Sequence, residues 1–135
     1  MHPDSASKDP TPATESAPNV LLIAVDTLRA DRLGSLGNAR GLTPNLDRLA
    51  ANGALYSRAY SHAPWTLPSF ASMFTSQVPQ EHGAGGRVGD FRGLAAAHDT
   101  LAERFQSAGY ATGAIVNVDF LGRSYGLMQG FDAGE

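Results

Sequence analysis

The feature that most constrains the fold is a continuous apolar run at residues 19–26 (NVLLIAVD), which ends in a carboxylate. Such a run is typical of a strand that is covered on both faces in a parallel sheet. Asp26 then lies at the carboxyl end of the strand, where open α/β sheets bind their ligands. The run therefore predicts an α/β fold and makes Asp26 a candidate site residue, with a turn or cap aspartate as the alternative.

Helices and strands are predicted to alternate after this run. Residues 43–53 have a Thr cap, Pro at the first helical position and Gly at the stop, which predicts a helix. A capping box at residues 100–103 predicts another helix, closed by Gly109. Residues 54–60 and 111–118 are predicted strands. This order predicts a mostly parallel sheet with flanking helices and right-handed crossovers.

Residues 63–76 place a hydroxyl group where an irregular segment gives way to a helix. Positions 70, 73, 74 and 77 recur at helical spacing, which predicts a helix over about 68–76 with Pro68 in its first turn. The start of a helix exposes backbone N–H groups and a partial positive charge, which together stabilise an alkoxide, a phosphate or a sulfate. Thr66 is therefore the first candidate nucleophile.

Composition excludes several classes of function. The 135 residues carry a net charge of −3, so a general attraction to nucleic acid or to an anionic membrane is not expected. The absence of Cys excludes disulfides, thiolate metal sites and a Cys nucleophile. No apolar run approaches the roughly 18 residues of a transmembrane segment. A small anionic substrate would have to be bound by groups at the site itself, not attracted by the overall charge of the chain.

Two segments are predicted to lack regular structure. Residues 1–18 are rich in Ser, Pro, Ala and Thr, which predicts a disordered tail or linker. Such a tail often tethers an exported or periplasmic domain, with a plain cytoplasmic tail as the alternative, and the 135 residues contain no signal peptide. The glycine-rich residues 83–93 are predicted to be a flexible loop.

Four short blocks occur in a characteristic order: PNVLLIAVDTLRAD at 18–31, TPNLD at 43–47, APWTLPS at 63–69 and EHG at 81–83. In order and spacing they resemble the N-terminal part of the sulfatase family, within the alkaline phosphatase superfamily. The resemblance implies an alkaline-phosphatase-like α/β fold that hydrolyses sulfate esters at a divalent metal, usually calcium, with magnesium, manganese or zinc as alternatives. We expect residues 19–135 to be the N-terminal part of such a domain, truncated here.

The chain departs from the family pattern at two places. The family nucleophile lies in a Cys/Ser-x-Pro-x-Arg motif and is oxidised to formylglycine, whereas this chain has Thr66 and, in place of the Arg, Phe70. No formylglycine is expected, and Thr66 resembles the Thr nucleophile of phosphoglycerol and phosphoethanolamine transferases. The family's paired Asp is here Asp26 followed by Thr27. The resemblance thus implies Asp26 and Thr66 as metal ligands, with further ligands from beyond Glu135.

Three further residues are candidates for binding an anionic ester. Arg29 suits sulfate or phosphate oxygens because a guanidinium binds them bidentately, although a solvated charge is the alternative. His62 lies just before Thr66, and His82 follows the predicted nucleophile helix. A lone His is also often a surface or packing residue, which is the alternative for both.

Three functional hypotheses follow. The first is a sulfatase-family hydrolase that acts on sulfate esters at a divalent metal. The second is a metal-dependent phosphotransferase or phosphodiesterase that uses the Thr nucleophile. The third is a non-catalytic truncated remnant or an anion-binding module. In each case we expect the 135-residue chain by itself to be inactive.

Overall fold

The computed structural model describes residues 17–134. These residues form two compact units, one of residues 21–61 and one that combines residues 17–20 with 62–134. The predicted disordered tail lies outside the described residues except for 17 and 18, which have no regular secondary structure. In the described part of the chain, no helix is both long enough and apolar enough to cross a membrane.

The unit of residues 21–61 is built around helix α1 (Pro44–Asn52), and it also contains two 3-10 turns, Ala30–Arg32 and Gly34–Leu36. The predicted helix start is confirmed, since Thr43 is the N-cap and proline takes the first helical position. The helix also ends where predicted, at Gly53. Proline is tolerated there because the first turn has no intrahelical acceptor for its missing N–H.

The predicted strands at residues 19–26 and 54–60 are not formed. Both segments have irregular backbone and exposed side chains, and neither pairs with another strand of the described residues. A single extended segment without a hydrogen-bonded neighbour gains no ladder, so an apolar pattern alone does not make it a strand.

The unit of residues 62–134 contains the remaining regular elements. Its helices and strands, in chain order, are α2 (Thr66–Thr75), α3 (Pro79–His82), β1 (Gly85–Arg87), β2 (Asp90–Arg92), α4 (Leu101–Ser107), β3 (Gly113–Ala114) and β4 (Ala133–Gly134). Two 3-10 turns, Asp119–Leu121 and Arg123–Tyr125, lie between β3 and β4.

The strands form two small sheets rather than the mostly parallel sheet that the sequence predicted. β1 and β2 pair antiparallel, so the glycine-rich segment is a hairpin and its prediction as a loop is wrong. Gly86 is required there because a Cβ at its positive φ of 112° would meet the carbonyl of Asp90. β3 and β4 pair in parallel, and β3 is all that forms of the strand predicted at 111–118.

Helix α2 supplies the centre of the core in this unit. The buried cluster consists of Leu67, Phe70, Ala71, Ala84, Leu94, Leu121 and Leu127. Leu67 and Leu127 are 0% and 1% exposed. Burying a leucine fully contributes about 1.5–3 kcal/mol relative to leaving it in water. α2 is therefore held along one face from its first turn onward, while Thr66 itself stays only half-buried.

Helix α4 begins with the predicted capping box. The Thr100 hydroxyl accepts from the Glu103 N–H at 3.2 Å, and the Glu103 carboxylate accepts from the Thr100 N–H at 2.8 Å. Two backbone donors at the helix start are thereby satisfied. The helix ends at Ser107, and Gly109 follows with a φ of 87°.

Candidate active site

Thr66 is the first residue of α2. The preceding residue, Trp65, has extended backbone as the N-cap, so the helix starts at Thr66 rather than at about 68. The Ser69 N–H donates to the Trp65 carbonyl at 3.3 Å, and Pro68 has no N–H. The backbone N–H groups of Thr66 and Leu67 precede the intrahelical bonds. With the helix dipole, this end of α2 suits an anion.

Trp65 is fixed by aromatic contacts on two sides. Its ring centroid lies 5.6 Å from that of Phe91 on β2 and 5.5 Å from that of Phe120. Such pairs contribute about 0.5–1.5 kcal/mol beyond the area they bury. The residue before Thr66 is thus tied to the hairpin and to the core.

His82 is the most deeply enclosed of the predicted site residues, with 3% of its surface exposed. Its Nδ1 accepts from the Ala84 N–H at 3.0 Å, and its Nε2 lies 3.0 Å from Ser72 Oγ. Burial lowers the pKa of His82, and the charge of His98 lowers it further. Both ring nitrogens of His82 are bonded inside the fold, and the accepting Nδ1 is that of a neutral ring.

His62 lies four residues before Thr66 and is exposed. Its charge makes a small contribution to the lowering of the His82 pKa. An exposed imidazole in this unit is accessible to a substrate anion.

Asp26 and Arg29 belong to the other unit. An Asp26 carboxylate oxygen accepts from the N–H of Thr27 at 3.1 Å, and Thr27 has a φ of 58°, which is strained for a β-branched residue. Arg29 donates to both carboxylate oxygens of Asp31, at 2.9 and 2.7 Å. That pairing raises the pKa of Arg29 and lowers the pKa of Asp31. Arg29 is exposed and engages a carboxylate in the way it would engage a sulfate.

The residues described do not assemble a metal shell by themselves. No group of three or more His, Asp or Glu residues able to hold a metal ion occurs within residues 17–134. Calcium takes about 6–8 oxygen ligands, which no cluster of these residues supplies.

Sequence reasoning missed the partner of His82 and the hairpin that holds Trp65. Ser72 is a hydroxyl residue on an otherwise apolar helix face, which is the signal that could have indicated a buried polar contact. The short helix α3, with Pro79 at its start and Gly83 in the left-handed conformation at its end, explains how the chain turns His82 back onto α2.

Comparison with known proteins shows the family of the chain. The family model described as Sulfatase matches residues 18–133, and the chain belongs to the sulfatase family. It is 40% identical over 99 residues to an arylsulfatase of Clostridium perfringens (strain 13 / Type A), which covers 73% of this chain and 20% of that protein. It is 38% identical over 117 residues to a steryl-sulfatase of Mus musculus, covering 79% of this chain and 19% of that protein.

The fold has a counterpart among solved structures. A crystal structure from Bacteroides thetaiotaomicron VPI-5482, described as a sulfatase, superposes with a TM-score of 0.65 at 23% identity. The match covers 78% of this chain and 22% of that chain. The chain thus spans about a fifth of the length of the curated relatives it matches.

Proposed function

We propose that this chain is the nucleophile-bearing, N-terminal portion of a sulfatase-family hydrolase that acts on sulfate esters. The observation that carries the proposal is the family match over residues 18–133, with a hydroxyl residue, Thr66, at the first position of α2. The related proteins are named as arylsulfatase and steryl-sulfatase, which favours esters of phenols or sterols as the substrate class.

In the proposed reaction, Thr66 Oγ1 attacks the sulfur of the ester. The bond between Thr66 and sulfur forms while the bond from sulfur to the ester oxygen breaks, and the leaving alcohol takes the proton that Thr66 gives up. Water then cleaves the threonine ester, which releases sulfate and restores the hydroxyl. The first turn of α2 stabilises the oxygens that carry the negative charge. Because Thr carries a methyl on Cβ, formylglycine is not part of this mechanism.

The proposal includes a divalent metal because the sulfatase resemblance implies one. Calcium is the first choice, with magnesium, manganese or zinc as alternatives, and Asp26 and Thr66 are the proposed ligands. When bound, such an ion polarises the ester and favours the alkoxide. The described residues do not complete its shell, so further ligands must come from outside them.

A second candidate function is phosphoryl transfer or phosphodiester hydrolysis at the same Thr. Phe70 stands where the resemblance expects an Arg, and it is a core residue with 7% of its surface exposed. An apolar side chain at this position cannot steady a formylglycine. That departure favours a direct Thr nucleophile, as in the transferases that Thr66 resembles.

We also propose that residues 19–26 and 111–118 are strands of a mostly parallel sheet that a longer protein completes. Their apolar side chains support this, because Leu21 is 82% exposed and Ile115 is 97% exposed. Soluble domains rarely leave contiguous apolar segments uncovered. The chain spans only about a fifth of the relatives' length, which also supports this proposal.

The test compares an aryl sulfate with the matching aryl phosphate, using the 135-residue chain and the longest natural protein that contains it. Calcium, magnesium, manganese and zinc are added in turn after chelation. We expect metal-dependent sulfate hydrolysis by the longer protein, its loss in Thr66→Ala, and no turnover by the chain alone. Thr75→Ser is the matched control, since Thr75 lies at the far end of α2 and bonds the Ala71 carbonyl.

Each outcome decides between the hypotheses. A faster rate on the phosphate ester selects the second candidate. Hydrolysis of neither ester by the longer protein, or full activity in Thr66→Ala, overturns the assignment of Thr66 and favours a non-catalytic or anion-binding role.

A further inference from the structure

Ser72, His82 and Ala84 link α2 to the segment that enters the β1–β2 hairpin. The Ser72 hydroxyl oxygen lies 3.0 Å from His82 Nε2, and the Ala84 N–H donates to Nδ1 over the same 3.0 Å. The three residues are 5%, 3% and 3% exposed. The imidazole therefore uses both of its nitrogens within the protein interior.

The Ala84 bond fixes the tautomer of His82. A backbone N–H can only donate, so Nδ1 must accept and the neutral ring carries its proton on Nε2. Nε2–H then faces two acceptors of α2, Ser72 Oγ and the backbone carbonyl of Pro68. A ring in this form aims no lone pair at Ser72, so the pair is not a nucleophile with its base.

The bond to Ser72 has a directional role in an otherwise apolar contact. The other buried residues of α2 are Leu67, Pro68, Phe70 and Ala71. Apolar contacts tolerate sliding and rotation, whereas a hydrogen bond weakens steeply when it is misaligned. A single buried polar pair can fix the register of packed elements in this way.

Rotation of α2 is transmitted to its first residue. Ser72 and Thr66 are six residues apart on one continuous helix, which corresponds to about 9 Å along the axis at 1.5 Å per residue. Any turn of the helix about its axis at Ser72 therefore changes the direction of the Thr66 side chain.

We propose that His82 is a positioning residue, which sets the rotation of α2 through its bond to Ser72 and thereby aims the Thr66 hydroxyl. The contact of Trp65 with Phe91 is the second attachment of α2 to the hairpin. The catalytic part of this inference rests on the proposed function, whereas its structural part is independent of it.

Trp65 is the single tryptophan of the chain and caps α2, so its fluorescence reports on the helix start. Two substitutions separate the bonds of His82. His82→Gln keeps a donor at the distance of Nε2 and so retains the bond to Ser72. His82→Asn keeps an acceptor at the distance of Nδ1. It therefore retains the bond to Ala84 and loses the bond to Ser72. Ser72→Ala and Ser72→Thr are the matching pair on α2.

Acrylamide quenching of Trp65 is measured in the 135-residue chain, and kcat and KM for the aryl sulfate are measured in the longer protein. We expect His82→Asn and Ser72→Ala to raise the quenching constant, and His82→Gln and Ser72→Thr to stay near the unmodified value. In His82→Asn and Ser72→Ala, kcat falls roughly 10- to 100-fold, as expected for a displacement of the Thr66 hydroxyl by about 1 Å, and KM changes little.

Several results would overturn the inference. Unchanged quenching and kcat in Ser72→Ala do so, and so does a His82→Asn variant that performs as well as His82→Gln. If a variant unfolds, ¹⁵N NMR of His82 in the unmodified chain decides, because a proton on Nδ1 contradicts the proposed bond. Full activity in Thr66→Ala would refute the proposed function while leaving the Trp65 measurements to test the positioning.

Discussion

Phe70 and Phe74 lie one turn apart on α2 and meet edge to face, with ring centroids 5.9 Å apart and planes at 77°. Phe74 makes a similar contact with Phe131, at 6.3 Å. The position where the family resemblance expects a guanidinium is therefore occupied by a ring of the core. Phe70 therefore contributes to the packing of the helix and leaves the position without a charged group.

Phe70→Arg is expected to destabilise the chain instead of restoring a formylglycine-type site. Truncating a buried Phe costs about 3–5 kcal/mol, and a buried unpaired charge adds to that. Urea unfolding followed by circular dichroism measures the loss. Met73→Arg is the control, since Met73 lies on the same helix and is 47% exposed. Equal stability of the two variants would show that Phe70 is not a core residue.

The hydroxyl of Thr100 is expected to contribute to the stability of the fold. Besides accepting from Glu103, that hydroxyl donates to the Gln129 carbonyl at 3.1 Å, and Thr100 is 1% exposed. Thr100→Val keeps the shape and removes both bonds, so we expect a loss of about 1–2 kcal/mol in the free energy of unfolding. Thr100→Ser keeps the hydroxyl and should lose less. A Val variant as stable as the Ser variant would contradict this role.

Local signals predicted α1, α2 and α4 because these signals depend on neighbouring residues, whereas the short helix α3 was not predicted. The cap and proline before α1 and the capping box of α4 both lie where expected. The predicted strands failed for the opposite reason, since a strand needs a partner far away in sequence. The apolar pattern at 19–26 indicates burial, but it does not supply the strand that would pair with it.

The candidate site shows the same difference between local features and contacts that are distant in sequence. The placement of Thr66 at a helix start was predictable from its local sequence, although the helix begins slightly earlier than expected. The contacts of His82 with Ser72 and Ala84 were not, because they depend on how α3 folds back onto α2. The hairpin is not predicted from the sequence because glycine-rich segments are typical of flexible loops, whereas Gly86 serves close backbone packing here.

Asp47 and Gly34 are expected to be energetically coupled. The Asp47 carboxylate accepts from the Ser35 N–H at 2.7 Å and from the Thr43 hydroxyl at 3.1 Å. A Cβ at Gly34 would collide with that carboxylate. Gly34→Ala should therefore destabilise residues 21–61, and Asp47→Ala should relieve part of the loss, with a coupling of about 0.5–3 kcal/mol. Hydrogen exchange at Ser35 in the four proteins of the cycle measures it, and strict additivity would refute the contact.

The stability of the chain is expected to depend on pH through His82. Burial places its folded pKa below the ordinary value of 6.5, with the charges of His98 and His62 acting in the same direction, and with the backbone carbonyl of Pro68 and the charge of Glu81 acting in the opposite one. Between the two pKa values the unfolded chain binds more protons than the folded chain, so the free energy of unfolding falls as the pH drops below about 6.5 and levels off below the folded pKa. Urea titrations from pH 7.5 to about 4.5 measure this slope. His82→Gln should reduce it, whereas His62→Gln, which changes an exposed imidazole, should keep most of it. A slope that is the same in all three proteins would show that His82 is not held neutral by its burial.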